Sequence, residues 1–213
     1  MKEISASLLS FYGKDCDMDK NIKLLNNSKV DFIHLDVMDG KFVDNKFLSK
    51  TELVKVIEKI NKKIDIHFMV NDPIAYIEKI KLFDINNITV HYEIKKLDEV
   101  IEYIKSLGIK VGVAISPETD IENIFPYLDK INIVLVMSVK PGKAGQDFIP
   151  TSYKKIIKLR EEINKRNLST IIEVDGGVCE KVFDKVKDAD RVVLGTCLID
   201  RLDDIDSIKE ELI

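Results

Sequence analysis

In Ile131-Asn132-Ile133-Val134-Leu135-Val136-Met137, every position from Ile133 onward is apolar. A strand with one wet face alternates apolar and polar residues. An unbroken apolar run belongs instead to a parallel strand covered by helices outside and packed inside. Working outward, further β-like runs occur at 3–8, 31–37, 63–70, 87–92, 109–115, 169–174 and 190–195, with the quoted run filling 131–138. Each is followed by a lysine- and glutamate-rich stretch with helical periodicity. In Lys50 to Ile60, for example, Leu53, Val54, Ile57 and Ile60 form one stripe. Asp72-Pro73 marks a helix start, an N-cap followed by proline in the first helical position, and Gly108 sits where a helix ends.

Eight strand-then-helix units in 213 residues can close as a barrel or lie open as a doubly wound sheet. An open sheet would carry a glycine-rich fingerprint after its first strand, and Leu8-Leu9-Ser10-Phe11-Tyr12-Gly13 is not one. The expectation is therefore an α/β fold: a single (β/α)8 TIM barrel spanning 1–213 as one catalytic domain, with no linker or low-complexity joint.

Acids and bases are interspersed, and the net charge is only -4 despite a charged fraction of 33%. That argues against nucleic acid or a membrane surface as partner. Cys16, Cys179 and Cys197 are odd in number and lie far apart, which fits a reducing cytoplasm better than a disulfide framework. No apolar run approaches the roughly eighteen residues of a membrane span, and the N-terminus makes a poor signal peptide.

The three histidines, His34, His67 and His91, fall near the C-terminal ends of the second, third and fourth predicted strands, the active-site rim of a barrel. His34 and Asp36 are two apart on one strand and so point to the same side. His67 lies on the next strand, and Asp175 ends the seventh. Two His and two Asp form a mixed N/O set suited to one Zn, Fe(II), Mn or Co ion. The competing structural reading is that the aspartates cap turns, since Asp39-Gly40 and Asp175-Gly176 are turn dipeptides. Asp36, inside Ile33 to Val37, fits that reading poorly. Gly142, Gly145, Gly176, Gly177, Gly195 and Thr196 follow the last three strands, where loops cradle a phosphate with backbone N–H groups. Met38 and Met69 are candidates for an apolar floor beside the ion.

Several motifs resemble, in order, those of the ribulose-phosphate 3-epimerase family. They are Ile4-Ser5-Ala6-Ser7-Leu8-Leu9, His34-Leu35-Asp36-Val37-Met38-Asp39-Gly40, His67-Phe68-Met69-Val70-Asn71-Asp72-Pro73, His91-Tyr92-Glu93, Met137-Ser138-Val139-Lys140-Pro141-Gly142, Gly145-Gln146-Asp147-Phe148 and Val174-Asp175-Gly176-Gly177. The resemblance implies a ribulose-phosphate-binding TIM barrel with one divalent ion per chain held by His34, Asp36, His67 and Asp175, and with Asp36 and Asp175 as the two bases. It also implies substrate contacts from Ser7, His67, Met38, Met69 and Asp175, and a phosphate site formed by Gly142, Lys143, Ala144, Gly145, Gly176, Gly177, Gly195 and Thr196. Lys143 stands where an aromatic residue is expected and Asp44 where a proline is usual. Ala144-Gly145-Gln146 and Glu173-Val174-Asp175 also resemble the allulose-6-phosphate 3-epimerase branch.

The implied reaction is epimerisation at C3 of a ketose phosphate, ribulose 5-phosphate first and allulose 6-phosphate as the alternative. The metal acts as Lewis acid on an enediolate, two carboxylates transfer protons on opposite faces, and no organic cofactor is needed. From another class, Lys140 could serve a Schiff-base sugar-phosphate lyase, but that reading leaves the His/Asp set unexplained. The expected partner is a small sugar phosphate, the expected assembly a homo-oligomer, and His91 is not expected to be a ligand.

Overall fold

A computed structural model of the chain describes residues 2–212. Among the described residues eight parallel strands run β1 Glu3–Ser7, β2 Phe32–Asp39, β3 Lys63–Met69, β4 Asn87–His91, β5 Lys110–Ile115, β6 Ile133–Met137, β7 Ile171–Asp175 and β8 Arg191–Leu194. Each pairs with the next, and β1 pairs with both β8 and β2, so the sheet closes as a barrel. A two-residue antiparallel piece, Lys46–Phe47, hangs on the end of β2.

The crossovers carry helices α1 Leu8–Asp15, α2 Met18–Asn27, α3 Lys50–Ile57, α4 Ile74–Ile80, α5 Leu97–Ser106 and α6 Ser152–Lys165, with α7 Thr196–Ile199 and α8 Ile205–Glu211 after β8. Helix α3 begins at a capping box of Ser49 and Glu52. It stops at Ile57, short of the expected Ile60, because Lys59 and Ile60 turn their N–H groups to carbonyls three residues back. Asp72 accepts from the Ala75 N–H as expected of a cap, and Gly108 takes φ +74 after α5. The segments after β5 and β7 are 3-10 helices, Ile121–Tyr127 and Glu180–Lys185; the first contains Pro126, whose missing N–H and ring disfavour an α-helix interior.

Alternation along the strands divides the side chains. Ile33, Leu35, Val37, Ile64, Ile66, Phe68, Val134 and Val136 join the helices in one continuous outer core. Each fully buried Val, Leu or Ile contributes about 1.5–3 kcal/mol. Ala114, Leu135, Met137 and Val139 form a separate apolar cluster. The double-sided apolar packing read from the sixth strand therefore holds there, whereas most other strands carry buried polar side chains. Buried Ser5, His34, Asp65, Asn87, Thr89, Glu173 and Arg191 come from six strands, β1, β2, β3, β4, β7 and β8.

Gly112 on β5 lies opposite Thr89 on β4, and a Cβ there would stand 2.2 Å from the Thr89 hydroxyl. Gly112→Ala should cost about 1–3 kcal/mol by overpacking. In a Thr89→Ala background most of that loss should disappear, as read from urea-unfolding midpoints.

Candidate active site

The parallel register of β2 and β3 sets His34 beside Asp65 and Asp36 beside His67. Residues two apart on a strand share a face, so these four side chains occupy two successive levels. Asp175 ends β7, with β8 and β1 lying between it and β2. At the upper level His34 Nε2 stands 3.5 Å from Asp36 and 3.9 Å from Asp175, and His67 Nδ1 stands 3.4 and 3.8 Å from the same carboxylates. One donor atom from each of the four residues lies within 4.8 Å of the others. His34 Nε2 and His67 Nδ1 are buried and have no hydrogen-bond partner. Orphaned buried nitrogens are costly, and two of them facing two carboxylates make a mixed N/O set that could hold a divalent transition metal.

The turn-capping role falls to Asp39 instead. Its Oδ1 accepts from Lys41 and Phe42 N–H at 2.8 Å each, and its Oδ2 accepts from Asn71 N–H. Asp36 remains within β2, where its Oδ2 accepts from the Ser7 hydroxyl at 3.2 Å. Ser7 is also the N-cap of α1, accepting from the Ser10 N–H, so the cap directs its own proton toward Asp36.

Below this level, the Asp65 carboxylate accepts from Ser5 at 2.8 Å, from Asn87 at 2.5 Å and from His34 Nδ1 at 2.6 Å. Arg191 donates to Asn87 and Glu3 and stacks 3.7 Å over the Phe32 ring. Burial works against charge on His34, but the Asp65 and Asp36 carboxylates outweigh it and hold its pKa well above the ordinary value. Burial likewise opposes ionisation of Asp36, yet His34 and His67 keep its carboxyl well below the usual range. Asp175 is pushed up to about 6 by burial and by the charge of Asp36. Burial and the neighbouring Asp65 carboxylate raise Glu173 well above the usual carboxylate range.

A cavity opens above the His/Asp level. Asp36, Asp175, Met38, Met69 and Met137 line it, together with Ser7, Lys140 and the expected loop residues Gly142, Lys143, Ala144, Gly145, Gly176, Gly177, Gly195 and Thr196. His34 and His67 are fully buried and do not line it. Ser138 ties the loops together by donating its hydroxyl to the carbonyls of Asp175 and Gly176 at 2.8 and 2.6 Å. Gln146 closes its own loop by donating to the carbonyls of Lys140 and Lys143. A Cβ at Gly177, which has φ +63, would stand 2.3 Å from the Phe148 nitrogen, so this glycine lets the two loops touch.

The family profile described as "Ribulose-phosphate 3 epimerase family" matches residues 3–199. The chain belongs to the ribulose-phosphate 3-epimerase family. It is an epimerase, of the isomerase class. It is 34% identical over 204 residues to a Helicobacter pylori protein named ribulose-phosphate 3-epimerase, covering 94% of this chain and 92% of that one. A Schizosaccharomyces pombe protein of the same name is 33% identical, with 92% and 86% covered. A chloroplastic ribulose-5-phosphate-3-epimerase of Arabidopsis thaliana is 32% identical, with 97% and 74% covered. Among solved structures, Mycobacterium tuberculosis tryptophan synthase superposes with TM-score 0.68 at 13% identity, covering 99% of this chain and 91% of that one. A phosphoribosylanthranilate isomerase from Thermotoga maritima gives 0.66 at 13%, covering 100% and 98%. At that identity the likeness concerns the fold alone.

The structure of this epimerase brings together the four expected ligand-type residues and sets the expected loop residues around one cavity. The sequence reading missed Asp65, Glu173 and Arg191, and it also missed Glu93, which accepts from His91. For two of these the signal was spacing: Asp65 stands two before His67, and Glu173 two before Asp175. Among the described residues no helix is long and apolar enough to cross a membrane.

Metal ligation requires deprotonated donors, and both His34 and Asp175 are shifted toward their protonated forms. Ion binding should therefore release protons, and affinity should rise as the pH climbs through the Asp175 value of about 6 and further as His34 loses its proton. Calorimetry of Co(II) binding in buffers of different ionisation enthalpy would detect the release; a pH-independent affinity would contradict it.

Proposed function

We propose that this epimerase interconverts the C3 epimers of a ketose phosphate, with ribulose 5-phosphate and xylulose 5-phosphate as the pair. The observation that carries this reading is the convergence of Asp36 and Asp175 at the base of a cavity whose walls are glycine loops. The names of the relatives support the five-carbon substrate. On this reading the chain acts as one catalytic domain, and its three free cysteines fit a reducing cytoplasm.

Removing the proton on a carbon beside a ketone requires a positioned base and stabilisation of the resulting enediolate. His34, Asp36, His67 and Asp175 would hold a divalent ion, Zn, Fe(II), Mn or Co, which when bound supplies Lewis-acid stabilisation of negative charge on oxygen. One carboxylate takes the C3 proton from one face, and the C–H electron pair moves to form the C2–C3 double bond of the enediolate. The other carboxyl gives its proton to C3 from the opposite face, which restores the C2 carbonyl with inverted configuration. Ser7 holds Asp36 in place through its hydroxyl, and Met38, Met69 and Met137 keep that end of the cavity apolar. The loops of Gly142, Lys143, Ala144 and Gly145, of Gly176 and Gly177, and of Gly195 and Thr196 bind the phosphate through backbone N–H groups. Lys140 also lines the cavity but is exposed on its rim, and a Schiff-base lyase would leave the converging His34, Asp36, His67 and Asp175 without a role.

Asp175→Asn should lower epimerisation by about 10^2–10^4-fold. Metal occupancy must be measured alongside, because asparagine is a poorer ligand. Specificity constants for ribulose 5-phosphate and allulose 6-phosphate would test the substrate: a clear preference for the six-carbon ketose would overturn the choice, and equal turnover of unphosphorylated pentuloses would overturn phosphate recognition.

A further inference from the structure

His67 is held differently from His34. A carboxylate, Asp65, accepts directly from His34 Nδ1, leaving Nε2 turned to the site. His67 instead meets another imidazole, with its Nε2 2.8 Å from His91 Nε2. The other His91 nitrogen, Nδ1, lies 3.1 Å from Glu93 Oε2. We propose that Glu93 and His91 form a positioning relay that fixes the tautomer of His67 and keeps its Nδ1 lone pair turned to the Asp36–Asp175 site.

The logic follows from which groups can donate. The Glu93 carboxylate only accepts, so His91 Nδ1 carries the hydrogen and His91 Nε2 presents a lone pair. His67 Nε2 must then donate, which leaves Nδ1 without a hydrogen. The reverse arrangement would aim a His67 N–H at carboxylates 3.4 and 3.8 Å away, with which His67 Nδ1 makes no hydrogen bond. Glu93 itself is anchored through its other oxygen. Its Oε1 accepts from the Ser116 N–H at 3.0 Å and from the Thr119 hydroxyl at 2.6 Å. That loop is pinned in turn by Lys155, which donates to the carbonyls of Ser116, Pro117 and Thr119 at 3.0, 2.7 and 2.6 Å. The relay rests on the reading of His67 as a metal ligand, and partners of this kind orient ligating histidines.

The anchoring makes a one-atom substitution diagnostic. In Glu93→Gln the amide oxygen stays with the two donors of the loop, so the NH2 group faces His91 Nδ1. His91 must then accept there and donate from Nε2. His67 accepts in turn, and its Nδ1 carries the hydrogen into the site. Glu93→Ala removes the carboxylate without reversing the chain.

The experiment titrates Co(II) into metal-free wild type, Glu93→Gln and Glu93→Ala, and assigns histidine tautomers in the metal-free proteins by long-range 15N NMR. Glu93→Gln should weaken Co(II) binding by about 10–100-fold, more than Glu93→Ala does, with His67 protonated on Nδ1. A purely structural role predicts the opposite order, because alanine removes more contacts. The relay is overturned if alanine is the more damaging change or if His67 in Glu93→Gln keeps its hydrogen on Nε2. Failure of wild type to bind Co(II) would overturn the metal reading instead, and the metal-free tautomers decide the relay in either case.

Discussion

The structure depends on satisfying one carboxylate. Asp65 is fully buried at the centre of the barrel, and an ion there is tolerable only when paired and hydrogen-bonded. Its partners come from β1, β2 and β4, so a single side chain stitches neighbouring strands together through Ser5, His34 and Asn87. Removing one member of such a buried network costs about 3–5 kcal/mol, because the remaining charge is left uncompensated. The same bond that satisfies Asp65 also fixes His34. With Nδ1 committed downward, Nε2 faces the site, so the stability of the barrel interior and the orientation of a candidate ligand are one requirement.

Around that pin the interior is divided. Ala114, Leu135, Met137 and Val139 make a small apolar sector, while β1 to β4, β7 and β8 contribute polar and charged groups. Arg191 joins the polar sector to the barrel's N-terminal end through Glu3 and covers itself with the Phe32 ring. At the opposite end, the loops are bonded to one another as well as shaped by glycines. Asn45 donates to the Gly142 carbonyl, and Ser138 grips the carbonyls on both sides of the Asp175–Gly176 bond. On the proposed mechanism Asp175 moves a proton, and that role needs this kind of fixed backbone, since small displacements are costly to catalysis.

Much of this was legible in the sequence. The unbroken run Ile133 to Met137 announced a parallel, covered strand, and the pair His34 and Asp36 announced an inward-facing polar couple at a strand end. Spacing alone sets Asp65 and Glu173 on the inward face, but their burial and that of Arg191 were not legible, because a charged residue in a strand reads by default as exposed or as the strand's limit. Only partners distant in the chain make their burial affordable: Asp65 needs Ser5, and Arg191 needs Glu3. His91 was not expected to be a ligand, and its link to Glu93 and the 116–119 loop is a tertiary contact with no local signature. The two 3-10 crossovers are the remaining departure from eight regular helices. Pro126 marks the first, whereas nothing in Glu180–Lys185 distinguishes the second.

The central claim is that Asp36 and Asp175 act on opposite faces of one carbon, and the fate of the C3 hydrogen tests it most directly. Two separate carboxyl groups, each exchanging with solvent between turnovers, predict that epimerisation run in deuterium oxide gives product carrying solvent deuterium at C3. Mass spectrometry or proton NMR of product taken early in the reaction reads this out. Product that keeps the substrate's own C3 hydrogen would mean that a single group carries the proton from one face to the other, contradicting the two-carboxylate account.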